Sequence, residues 1–88
     1  MSEFYHITGR QIAAARTLLG MGQVELAESA SISAPTLRRV EAAKENPIEG
    51  TASKNNLAAL IRALEAAGVE FIETERGEGV IRLRRNEP

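Results

Sequence analysis

The chain has 88 residues, 11 basic and 12 acidic side chains, no cysteine, one histidine and 3% aromatic residues. One small domain with a Leu, Ile, Val and Ala core suits a helical fold and leaves little room for an enclosed pocket; disulfides, thiolate sites, a metal held by His6 alone, and any other cofactor are not expected. The net charge of −1 does not announce a polyanion binder, but Thr8 to Lys44 carries five basic and three acidic residues (+2) while Glu45 to Pro88 carries six and eight (−2).

The first residues, MSEFYHITGR, hold an acidic side chain and no apolar run. They do not read as a signal peptide, and His6 reads as a tail or packing residue. A first helix is expected over about Gly9 to Leu19, with Thr8 as its N-cap and Gly20 as its stop. Ile12, Ala15 and Leu19 fall on one face, and Leu18 widens the stripe. A second helix covers about Gln23 to Ala30, turning Leu26, Ala27 and Ala30 inward. Ser31 to Ser33 is a tight break. Ser33 caps a third helix that continues to about Ala42, with Pro35 in the first turn, where its missing N–H costs nothing. Leu37 and Val40 form its apolar face.

A long polar loop follows, marked by Asn46-Pro47 and Gly50. A fourth helix spans about Lys54 to Ala67, carried by Leu57, Leu60, Ile61 and Leu64, with Gly68 after its end. Beyond Gly68 the period changes from 3.6 to 2. A hairpin is expected over about Val69–Glu73 and Val80–Arg84, with TERGEG supplying turn glycines. Val69 and Phe71 share a face of the first strand, and Ile81 and Leu83 share a face of the second. A lone two-stranded hairpin is marginal in water, so it must pack on the helices or pair with another chain. No apolar stretch approaches the roughly 20 residues of a membrane span. The expected compartment is the cytoplasm.

Two short helices joined by a three-residue kink form a helix-turn-helix. An α-helix fits the major groove of B-DNA, and the exposed first turn of the third helix is the part that can reach base edges. The stretch ARTLLGMGQVELAESASISAPTLRRVE resembles the helix-turn-helix of the Xre, Cro and phage-repressor family of transcription regulators. Arg16, Gln23 seven residues on, the Leu26-Ala27 pair, Ile32 in the turn, Leu37, and Val40-Glu41 carry the resemblance, which covers about residues 8 to 67. Three positions depart from the family. Gly22 stands where a serine or threonine cap is favoured, Ser31 replaces the turn glycine, and Ala43 replaces a glycine closing the third helix. The loop before the fourth helix is also longer.

The resemblance implies a mainly α, four-to-five-helix lambda-repressor-like domain over residues 1–68. The hairpin and tail over 69–88 lie beyond it and are the candidate dimerisation element, because pairing with a partner's strand hides the open edge and the apolar face together. It implies a structural ion pair between Arg16 and Glu41. It implies reading positions at Ala34, Pro35, Thr36, Arg38 and Arg39. Arg39 is the candidate for bidentate contact with guanine, and Arg38 for a phosphate. Gln23, at the N-terminal end of the second helix, can bond a phosphate and a neighbouring side chain at once. Ser33, Thr36 and Lys44 are further phosphate candidates. The implied function is a homodimeric, sequence-specific regulator, such as a repressor, on double-stranded DNA. A second reading keeps the fold but makes the chain a protein-interaction module of antitoxin type, acting on a protein partner. No nucleophile, base and orienter stand at workable spacing, so no catalytic residue is expected. Arg82 to Arg85 reads either as a backbone contact or as a solubilising edge.

Overall fold

A computed structural model describes residues 7–43 and 53–84. His6, Lys44, the Asn46-Pro47 loop and Arg85 lie outside the described residues. Among those described, four helices precede one antiparallel hairpin: α1 (Gly9–Leu19), α2 (Gln23–Ala30), α3 (Ala34–Ala42), α4 (Lys54–Ala67), β1 (Val69–Thr74) and β2 (Gly77–Arg82). The chain is therefore mainly helical with a C-terminal two-stranded sheet. No described helix is long and apolar enough to cross a membrane.

Local chemistry sets each helix end. Thr8 Oγ1 accepts from the Gln11 amide at 3.1 Å, and Gln11 Oε1 accepts from the Thr8 amide at 3.0 Å. This reciprocal box satisfies two of the amides a helix start leaves open. Ser33 and Ser53 cap α3 and α4 through the amides of Thr36 and Asn56. Gly20 and Gly68 end α1 and α4 in the left-handed region, at φ 72° and 117°, which only glycine enters at little steric cost.

One core joins all the elements. Ile12 and Ala15 of α1, Leu26 and Ala27 of α2, Leu37 and Val40 of α3 and the α4 stripe are buried together, and Val69 brings β1 into the same cluster. Each fully buried Leu, Ile or Val side chain contributes about 1.5–3 kcal/mol by leaving water. The α1 stripe is narrower than its sequence suggests. Leu19 is half-buried against the core, whereas Leu18 is 47% exposed. The place beside Ile12 goes instead to Gln11, which is only 5% exposed.

The hairpin also differs from its expected bounds. Thr74 pairs with Gly77, leaving a two-residue loop of Glu75 and Arg76. The Thr74 hydroxyl organises that loop, accepting from the Arg76 amide at 3.0 Å and donating to the Gly77 carbonyl at 3.3 Å. The second strand thus begins at Gly77 rather than Val80, and Gly79 lies inside it. Val69 and Phe71 face the helices, joined there by Val80, which stands opposite Phe71. Ile81 and Leu83 do share a face, but it is the outer one, and they are 44% and 46% exposed. The Gln11 amide nitrogen clasps the sheet from α1, 3.0 Å from the Gly79 carbonyl and 3.4 Å from that of Ile72.

Candidate nucleic-acid interface

The turn between α2 and α3 is fixed by hydrogen bonds rather than by glycine. Ser31 adopts φ 59° and ψ 42°, a conformation that costs a non-glycine residue about 1 kcal/mol or more. The Ile32 amide bonds the Ala27 carbonyl at 2.9 Å, and the Ser31 amide bonds that of Glu28 at 3.1 Å. These bonds close α2 in a Schellman arrangement. Ile32 packs against the core and anchors the turn. Ser33 then starts α3 at once.

α3 is sharply two-faced. Leu37 and Val40 are fully buried, with Ala34 half-buried beside them. Pro35, Arg38, Arg39 and Ala42 are exposed, at the i, i+3, i+4, i+7 spacing of a single stripe. Among the described residues, neither Arg38 nor Arg39 enters an ion pair or side-chain hydrogen bond. The outward face of α3 therefore presents two unspent guanidinium groups, each with a planar fork of donors.

Glu41 points the other way. Arg16 Nε donates to Glu41 Oε2 at 2.7 Å and Arg16 Nη2 to Oε1 at 3.0 Å, a bidentate pair. Arg16 Nη1 donates to the Met21 carbonyl at 3.0 Å. Gln23 Nε2 donates to Glu41 Oε1 at 2.8 Å. One carboxylate thus ties α1, the α1–α2 connection, the start of α2 and the last turn of α3. The side chains are 19% and 9% exposed for Arg16 and Glu41. Hydrogen bonding to Glu41 raises the Arg16 pKa above its already high value, outweighing the opposing effect of burial, so the guanidinium stays charged.

At the start of α2 no side chain caps the first amides, because Gly22 has none to offer. Glu25 reaches back to the Gly22 amide at 3.3 Å, which is the reverse half of a capping box only. The first amides of α2 thus lack a capping side chain, and Glu25 places its carboxylate at the positive end of the dipole. Gln23 sits there with its carbonyl oxygen and one amide hydrogen left over after the bond to Glu41.

The remaining expected positions divide. Ser33 Oγ accepts from the Thr36 amide at 3.2 Å and lies 2.8 Å from Thr36 Oγ1. Ser33 is thus chiefly a cap, and the hydroxyl pair retains one proton for an outside acceptor. Ala34 packs on the core, so its methyl is partly used inside; Pro35 is the exposed apolar member of that turn. Lys44 lies outside the described residues.

Sequence reading missed Gln11 and the attachment of Gln23 to Glu41. Gln11 had a local signal, the Thr8-x-x-Gln11 box, although nothing local shows that its amide also holds the hairpin. Gln23 and Glu41 are 18 residues apart, and only the crossing of α2 and α3 joins them. Among the described residues, no group of His, Asp and Glu side chains is placed to hold a metal ion. The open grooves flanking β2 lie away from the α3 stripe.

No protein-family model matches this chain, and no curated protein matches it in sequence.

Proposed function

We propose that the chain is a sequence-specific, double-stranded DNA-binding regulator of the Xre and Cro type, with α2 and α3 as its helix-turn-helix, working as a homodimer in the cytoplasm. The observation that carries this reading is the stripe of Pro35, Arg38 and Arg39, exposed and without internal partners, on the helix that leaves a tight turn. Laid in a major groove, such a stripe offers Arg39 to guanine and Arg38 to a phosphate, with the Pro35 ring as an apolar contact for a thymine methyl. The free amide hydrogen of Gln23, at the start of α2, suits a backbone phosphate.

One domain contributes few phosphate contacts, so affinity needs two copies on an inverted repeat, about 34–36 Å apart along the duplex. With a net charge of −1, the salt dependence is shallow. The C-terminal hairpin is the joint between copies. Blocking polymerase is the simplest regulatory output.

Selection of bound DNA from a random pool tests the reading. Two half-sites one helical turn apart are expected. Arg39→Ala weakens binding in a gel shift by about 1–3 kcal/mol and relaxes one base position, with circular dichroism unchanged. Absence of DNA binding at low salt, with a protein co-purifying, would favour the same fold acting as an interaction module of antitoxin type. The exposed Val24 between Gln23 and Glu25 on α2 gives that alternative a surface. Neither reading assigns the chain a catalytic step.

A further inference from the structure

β2 and its continuation read Gly77-Glu78-Gly79-Val80-Ile81-Arg82-Leu83, and the register of the hairpin decides which of these groups are spent. Leu83 donates its amide to the Gly68 carbonyl at 2.7 Å, so Gly68 and Leu83 form a hydrogen-bonded pair. Hydrogen-bonded and non-bonded pairs alternate along an antiparallel ladder. Glu70–Ile81, Ile72–Gly79 and Thr74–Gly77 are therefore bonded pairs too. The amides and carbonyls of Glu78, Val80 and Arg82 point away from β1. Among the described residues they find no backbone partner.

We infer that this edge is built for a second copy of the same chain, β2 pairing antiparallel with β2 of its partner about a two-fold axis at Val80. The inference refines the homodimer of the proposed function and rests on that reading only for the existence of a dimer. A two-fold pairing requires the strand to complement its own reverse. About Val80 it does so from Gly77 to Leu83. Glu78 falls opposite the partner's Arg82, and Arg82 opposite the partner's Glu78, both through outward-pointing backbone groups. Gly79 falls opposite the partner's Ile81, and Gly77 opposite the partner's Leu83.

The last two pairings lie on the outer face, where Ile81 and Leu83 are exposed in a single chain. Each large side chain then meets a position with no side chain. Space above Gly77 is empty to 4 Å, and above Gly79 the nearest atoms belong to Ile72, 3.7 Å from where a Cβ would stand. The partner's Ile81 would thus settle against Ile72. A shift by two residues in one direction sets Val80 against Arg82. The opposite shift sets Glu78 against Val80. Odd shifts oppose outward groups with inward ones and lose the hydrogen bonds.

Two further observations favour this occupant. Within the hairpin Glu78 stands directly opposite Glu73, a like-charge pair that destabilises a lone sheet. The partner's Arg82 on the other side of Glu78 relieves it. A shallow groove of about 310 Å³ also runs along the far side of β2, between Ala14 and Leu18 of α1 and Glu78, Gly79 and Val80. The incoming strand covers that groove and, with it, the exposed Leu18.

The test uses the full chain without DNA. Since the chain has no cysteine, any disulfide must join two copies. Val80→Cys places the two thiols across a bonded pair at about 5.5 Å between Cα atoms, within disulfide reach, and is expected to cross-link on mild oxidation. Glu78→Cys alone leaves its two copies about 13 Å apart along the strand and is expected not to. Mixing Glu78→Cys with Arg82→Cys chains is expected to give the mixed disulfide.

Should the cysteine variants fold poorly, reversal of exposed charges gives an independent reading by sedimentation. Glu78→Arg and Arg82→Glu each weaken the dimer about tenfold, and the double reversal restores it. Monomer at every concentration, equal cross-linking at positions 78 and 80, or a double reversal as weak as the singles would overturn the inference. A cross-linked Val80→Cys dimer that retains no DNA from the random pool would instead sink the DNA-binding reading and leave this pairing standing.

Discussion

The α1–α3 unit and the C-terminal hairpin treat their polar and apolar groups in opposite ways. In the helical unit the buried groups are closed on one another: Glu41 receives Arg16 twice and Gln23 once. Its large side chains are inside, Val24 and Leu18 apart. The hairpin has two strands only, unpaired outer edges among the described residues, and Ile81 and Leu83 on its outer face. The first region is closed within one copy, whereas the second keeps backbone and apolar groups that no described residue of the chain satisfies. What α1 to α3 leave unsatisfied among the described residues is different in kind, two guanidinium groups on one stripe of α3. The molecule thus separates a charged face made by closing a core from an edge made by leaving one open.

Breaking the closed region should cost most. Leu26→Ala removes a fully buried side chain and is expected to destabilise by about 3–4 kcal/mol in urea unfolding, from lost burial and the cavity left behind. Arg16→Ala follows at about 3 kcal/mol. That is the low end for breaking a buried pair, since Arg16 keeps 19% of its side chain exposed. Replacing both partners, as Arg16→Met with Glu41→Leu, is expected to recover most of that loss, because the cost lies in stranding one charge. If the double variant is no better than the single, the cluster acts through something other than charge closure.

Gln11→Ala probes the seam between the two regions. It removes the clasp on the Ile72 and Gly79 carbonyls and strips the Thr8 amide of its acceptor. A loss of about 1–2 kcal/mol is expected, and faster amide exchange across the hairpin than across α2 would place the damage at the seam. The smallest effect has the opposite sign. Ser31→Gly relieves the left-handed turn residue and is expected to stabilise by about 0.5 kcal/mol, the relief being partly offset by glycine's greater freedom when unfolded. A destabilisation would mean that the Ser31 side chain contributes something the backbone geometry does not reveal.

Much of the helical fold was legible because its signals are local. Thr8 and Ser33 hold the first amides of their helices, and Gly20 and Gly68 end theirs, all within about one turn of chain. The α4 stripe needed only its spacing. The α3 stripe was legible for the same reason: burying Leu37 and Val40 obliges Pro35, Arg38 and Arg39 to face outward. The hairpin was read less well. Gly77 and Gly79 signal a turn in sequence, but the Thr74 hydroxyl organises a loop at Glu75-Arg76, and the glycines fall in the strand. For α1, the face of Ile12, Ala15 and Leu19 is legible from spacing, but Leu18, expected to widen it, stays exposed in the fold.

By itself, then, the sequence determined where helices start and stop, which residues of each share a face, and that the chain changes period after Gly68. These properties depend on neighbours within about four residues, whose geometry is the same in any fold. Only the tertiary structure decided which face of the hairpin meets the helices, that Gln11 bridges α1 to the sheet, and that Gln23 shares Glu41 with Arg16. Periodicity says that two faces differ, but the packing of distant segments selects the one that loses its water.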